Sequence, residues 1–243
     1  MADTKISALT SLTGSGVDIA ADLFAIVDAG ASETKKIVIS NALGAAFTTA
    51  GDIVQASAAG VAARLGIGTA RQVPTVNSGA TALAYANPIT ITAAQATTSG
   101  TAFDFTGIPA GVRRITIFFG DNSLSGTDNL LVQIGDAGGP ETTGYVSSGG
   151  GIGNAGASAV VSSTAGFLVY SATAANTLSG TMTLNLVDIA AFQWSSNHAG
   201  KINTVATIMG GGYKSLSQEL TQVRVTRTGT DTFDAGSLVV MYE

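Results

Sequence analysis

One histidine, His198, is the chain's whole supply of imidazole, and cysteine is absent. Nucleophilic hydrolysis needs a hydroxyl with a base in reach, so such chemistry would have to pass through His198 and its neighbours Ser195, Ser196 and Asn197. Adjacent residues of one short stretch seldom have the geometry for that proton transfer, and no G-x-S-x-G elbow is present. The expected state of His198 is therefore an exposed or pairing side chain in a loop. Without cysteine, disulfides, thiol nucleophiles, iron–sulfur clusters and Cys-ligated zinc are excluded together. A single imidazole leaves too few nitrogens for most zinc or copper sites, and no cofactor is expected.

Three further patterns could carry chemistry. Gly151-Ile152-Gly153-Asn154-Ala155-Gly156 matches G-x-G-x-x-G, in which backbone amides and a helix N-terminus hold a pyrophosphate. It follows Ser147-Ser148-Gly149-Gly150 and has no acidic residue about twenty positions on, so a flexible loop is expected instead. Residues 121–128, from Asp121 to Asp128, place oxygen donors at alternate positions with Gly126 sixth, as in a calcium loop. Val132 stands where the bidentate Glu belongs, which favours a polar turn between strands over calcium. Glycan hydrolysis needs two carboxylates roughly 5–9 Å apart. Asp121, Asp128, Asp136, Glu141, Asp188 and Asp231 all fall near expected turns, and no pair of them stands out.

Binding without catalysis needs less. Trp194, the sole tryptophan, lies in Phe192-Gln193-Trp194-Ser195-Ser196-Asn197-His198, an aromatic among amide and imidazole neighbours, as on sugar-stacking surfaces. Strand alternation would put Phe192 and Trp194 on one face, which favours core or interface packing for Trp194. Tyr145, beside the glycine-rich stretch, is a second aromatic of the same kind. The candidate receptor-binding residues are thus Tyr145, Trp194, Asn197 and His198.

Composition restricts the partners. Lysine and arginine number 11 against 16 acidic residues, for a net charge of −5, so there is no basic footprint for nucleic acid or an anionic membrane. Charged residues make up 11% of the 243 positions, under half the usual share, and 31 are glycine. Mean hydropathy is positive, yet no apolar run approaches the ~18 residues of a spanning helix, so no membrane insertion is expected. The opening Met1-Ala2-Asp3-Thr4-Lys5 lacks the layout of a secretory signal, which predicts synthesis in a cytoplasm.

These residues need elements to hold them, and three textures appear. Residues 1–40 contain Leu23-Phe24-Ala25-Ile26-Val27-Asp28 and Lys35-Lys36-Ile37-Val38-Ile39 around a Gly-containing connector, which predicts a hairpin. Residues 41–88 are dominated by Ala and Gly, too rich in glycine for a long helix and too poor in large side chains for a private core. Short strands at 52–55 and 62–65 are expected there, buried against identical chains about a shared axis. Residues 89–243 offer strands at 89–92, 114–120, 130–135, 167–171, 181–188, 192–195, 202–209, 220–226 and 238–242. Val223 and Val225, then Leu238, Val240 and Tyr242, alternate as antiparallel strands with one face in a core do. The expected fold class is all-β, with an antiparallel, jelly-roll-like β-sandwich over 89–243 that folds alone, whereas 1–88 does not.

Three segments resemble a known group. Lys5-Ile6-Ser7-Ala8-Leu9-Thr10-Ser11-Leu12-Thr13-Gly14-Ser15-Gly16, with residues 22–28 and 34–37, resembles the N-terminal segment of tailed-bacteriophage fibre and virion proteins. Gly51-Asp52-Ile53-Val54-Gln55, then Ala63-Arg64-Leu65-Gly66-Ile67-Gly68-Thr69 and Gln72-Val73-Pro74, is similar to the "GDLL…ARLGVGTxGQVL" element of phage fibre shafts, Pro74 replacing the usual Leu. Residues 202–213 and 233–243 are similar to the C-terminal β-rich heads of phage structural proteins. The resemblance implies a virion anchor at 1–40, with Ile6, Leu9, Leu12, Leu23, Phe24 and Ile26 as its apolar contacts to another virion protein. It further implies a short homotrimeric shaft at 41–88 and a head at 89–243. The implied function is a non-enzymatic tail fibre of the virion that meets a host cell-surface glycan or protein; a capsid decoration or head-fibre protein is the alternative.

Overall fold

Short runs of β-branched and aromatic residues broken by Gly, Ser, Asn and Pro favour strands over helices at almost every point of this chain. A computed structural model describes residues 23–28, 33–38, 47–58, 61–77, 79–156, 158–171, 173–174, 176–203 and 206–243, with backbone alone for 23–28, 33–38 and 61. Among the described residues there is no helix, and every strand pairing is antiparallel. The chain is all-β. It divides into two compact units, residues 1–88 and 89–243.

The first unit contains three two-stranded hairpins. Strands β1 (Leu23–Asp28) and β2 (Glu33–Val38) pair with Leu23 opposite Val38 and Asp28 opposite Glu33. Strands β3 (Ile53–Ala58) and β4 (Val61–Leu65) form the second hairpin, and β5 (Val73–Val76) and β6 (Leu83–Ala86) the third. A polar knot, not an apolar core, holds the second. The Asp52 carboxylate accepts the Thr48 and Thr49 amides at 2.9 and 2.8 Å, the Ile67 amide at 3.1 Å and Arg64 Nε at 2.6 Å. The Arg64 guanidinium beside it holds that carboxyl well below the usual carboxylate range. Among the described residues of this unit no apolar side chain is buried, only the Asp52 carboxylate being closed off from solvent, and Phe47, Ile67, Val73 and Val76 stand open.

The second unit holds the interior. Its strands are β7 (Thr90–Ile91), β8 (Gln95–Ala96), β9 (Phe103–Thr106), β10 (Arg114–Leu124), β11 (Leu130–Asp136), β12 (Gly139–Pro140) and β13 (Val146–Gly153). Then come β14 (Ser158–Ser163), β15 (Phe167–Val169), β16 (Leu178–Asp188), β17 (Gln193–Ile202), β18 (Ala206–Ser215), β19 (Gln222–Arg227) and β20 (Phe233–Tyr242). A nine-stranded sheet runs β14-β13-β18-β17-β16-β10-β20-β7, with β8 also on β20. A five-stranded sheet runs β12-β11-β19-β9, with β15 on β11. Val223 and Val225 from the smaller sheet and Leu238 and Val240 from the larger enter one apolar cluster with Ile115, Ile117, Phe167 and Trp194. The β10 strand bends at two register shifts, and there Gly236, at φ +98°, passes so close that a Cβ would lie 2.6 Å from the Asn122 backbone.

Several expectations change. Gly151–Gly153 belongs to β13 and residues 154–156 to the turn into β14, so the G-x-G-x-x-G stretch is a hairpin in place of a flexible loop. Pairing with β18 across eight positions stabilises it despite the glycines. The separate strands expected at 192–195 and 202–209 are instead β17 and β18, which absorb the expected loop around His198 and meet at a turn at Asn203. Asp121, Asn122 and Ser123 lie within β10 and not in a turn. The virion-anchor candidates Ile6, Leu9 and Leu12 lie outside the described residues. Leu23, Phe24 and Ile26 lie on the backbone of β1.

Candidate functional site

Strand β17 decides the fate of three candidates, because alternate residues point to opposite faces. Counting by two from Trp194 reaches Ser196, His198 and Ile202, all buried against the smaller sheet's side of the fold, while Asn197 faces out. Trp194 is 2% exposed and His198 5%. His198 packs over Gly210, where an added Cβ would strike its ring, and beside Gly149. Neither ring nitrogen has a hydrogen-bond partner, nor does the Ser196 hydroxyl. Burial lowers the His198 pKa from 6.5 to about 4, so the ring is neutral at physiological pH. This replaces the expected loop histidine.

Tyr145, 1% exposed, is also interior. Its hydroxyl accepts the Ile134 amide at 2.8 Å and donates to the Glu141 carbonyl at 2.9 Å, and its ring meets Phe167 edge-on at 5.0 Å. The buried Lys214 ammonium lies 5.5 Å above that ring and pairs with Glu141. Tyr145, Trp194 and His198 are therefore interior side chains, Tyr145 lining the groove described below, and of the four receptor-binding candidates only Asn197 is exposed.

The carboxylates are engaged within the fold, some by backbone amides and some by side chains. Asp128 and Asp231 cap each other's amides, both at 2.8 Å. Asp136 accepts the Ser217 hydroxyl at 2.5 Å, the main reason its carboxyl titrates below the usual range, while Glu141 accepts the Ser217 amide at 3.0 Å. Asp121 accepts the Ser179 hydroxyl, and Asp188 caps the Ala190 amide of its own turn at 2.8 Å. No group of three or more His, Cys, Asp or Glu that could hold a metal occurs among the described residues.

What sequence reasoning missed is the outer face of β14, β13 and β18. Val146 lies opposite Tyr213, Ser148 opposite both Ser162 and Gly211, and Gly150 opposite both Val160 and Met209. Tyr213 is 50% exposed. A shallow groove of about 560 Å³ opens between the Tyr213 and Val146 ridge and the hydroxyls of Ser148, Ser162 and Thr164, floored by Gly211. Comparison with protein-family models, with curated proteins and with solved structures finds no match. The groove's own chemistry is a set of neutral donors and acceptors beside one aromatic ring, suited to noncovalent recognition.

Proposed function

We propose that the chain is a non-enzymatic fibre protein of a tailed bacteriophage, assembled as a homotrimer. Residues 1–40 attach it to another virion protein, residues 41–88 form a short shaft with sister copies, and residues 89–243 meet the host surface. The two sheets of the second unit, joined by one apolar cluster, are read as a jelly-roll-like β-sandwich head. A trimer presents three copies of a weak site, so avidity multiplies affinity without a deep pocket.

The first unit supplies the observation that carries this reading. A two-stranded hairpin is marginal by itself in water, and no apolar side chain described in the second and third hairpins is buried. Val54, Ile67, Val73, Val76 and Leu83 are each more than a third exposed, as expected of surfaces that close only against further chains. Antibody-gold labelling of intact virus particles tests the assignment. Label on the tail is the expected result; label at capsomer centres would replace the tail fibre with a capsid decoration protein.

A further inference from the structure

The outer face of the nine-stranded sheet carries a row of polar groups that the fold does not use. Reading across strands, Ser162, Ser148, Gly211, Asn197, Thr183 and Thr116 are successive register partners on β14, β13, β18, β17, β16 and β10. At ~4.8 Å per strand the row spans about 24 Å. None of its five polar side chains makes a hydrogen bond among the described residues. Some polar side chains off the row do pair with each other, as in the Arg224–Asp104 pair at 2.6 and 2.8 Å or the Asn122–Thr97 bond at 2.7 Å.

The flanking rows differ in character. On one side Tyr213 and Val146 are half-exposed neighbours; on the other stand Met209 and Val160, with Gly150 between them. From β14 to β16 neither these rows nor the polar one contains a charged residue. Over β14, β13 and β18 the face thus sets an uncommitted polar line between two apolar ridges, one of them aromatic, and the Tyr213 ridge continues on β17 and β16 as Ser195 and Asn185. A sugar chain has the matching pattern, with hydroxyl edges and apolar C–H faces, and tyrosine offers an apolar ring with a polar tip. A sister copy would present the same neutral donors and acceptors, so the sedimenting mass of the variants below distinguishes that occupant from a glycan.

We infer that this face binds an uncharged glycan, laid along the row from Ser162 to Thr183, with Tyr213 stacked on a sugar ring in the groove and Asn197 hydrogen-bonding its hydroxyls. The inference rests on the adhesive reading above and names its site and ligand class. The test is native gel electrophoresis of the full chain through dextran, a β-1,3-glucan or mannan. Retardation by at least one of them is expected. Tyr213→Ala weakens it at least tenfold and Asn197→Ala several-fold, while Val187→Ala, an exposed site off the row, leaves it unchanged. Equal migration in all three polymers, or retardation indifferent to both the Tyr213 and the Asn197 substitution, overturns the inference. So does a lower sedimenting mass for Tyr213→Ala, which would mark the face as a contact between copies. Particles labelled on the tail whose protein no neutral polymer retards would defeat this site and leave the fibre reading intact. Retardation together with capsomer labelling would do the reverse.

Discussion

Trp194→Ala lowers the stability of the second unit by about 3–5 kcal/mol, the cost of truncating a large buried side chain. Trp194 points into the cluster that both sheets share, between Leu186 and Lys214 on the neighbouring strands. Its indole cannot be replaced by solvent without a cavity in that interior. Denaturant unfolding of the full chain, followed by far-UV circular dichroism, measures the loss. A change below about 0.5 kcal/mol would place Trp194 at the surface, and the sugar-stacking reading of this residue would return. In the unsubstituted protein, the sole tryptophan should emit at short wavelength and resist quenching.

Acidification produces the second large effect. The unfolded chain protonates its one histidine below about pH 6.5, whereas the folded chain, with His198 buried and its pKa near 4, does not. Between those values the unfolded state holds one more proton, so stability rises with pH and falls as acid is added. The loss from pH 6.5 to 4 is about 3 kcal/mol. Asp104 and Asp136, whose carboxyls are held low by Arg224 and Ser217, add their own losses only as pH falls below the ordinary carboxylate range, so the upper part of the window belongs to His198. Because there is one imidazole in 243 residues, a single NMR titration reads its pKa directly. A midpoint near 6.5 would contradict the buried ring.

The parts of this fold that were legible in the sequence are those whose side chains report burial. Val223, Val225, Leu238 and Val240 alternate with polar residues and all reach the core. The Leu23 and Lys35 segments likewise pair as a hairpin. Strands β13 and β14 were illegible, since glycine and serine carry turn propensity; they are strands because β18 pairs with β13 along its length. The interior position of His198 was hidden by its Ser, Asn and Gly neighbours, although the phase set by Trp194 two turns of the pleat away pointed to it. The outer polar row could not be read at all. Its members are 116, 148, 162, 183, 197 and 211, scattered through the chain, and only register brings them into line.

Sedimentation equilibrium of the full chain at micromolar concentration goes most directly to the dependence of residues 41–88 on sister copies. Open hairpins with exposed valine, isoleucine and leucine predict a particle three times the mass of the 24.1 kDa chain, unchanged on dilution. A particle of single-chain mass, with the hairpin amides protected from exchange, would contradict a shaft built from several chains.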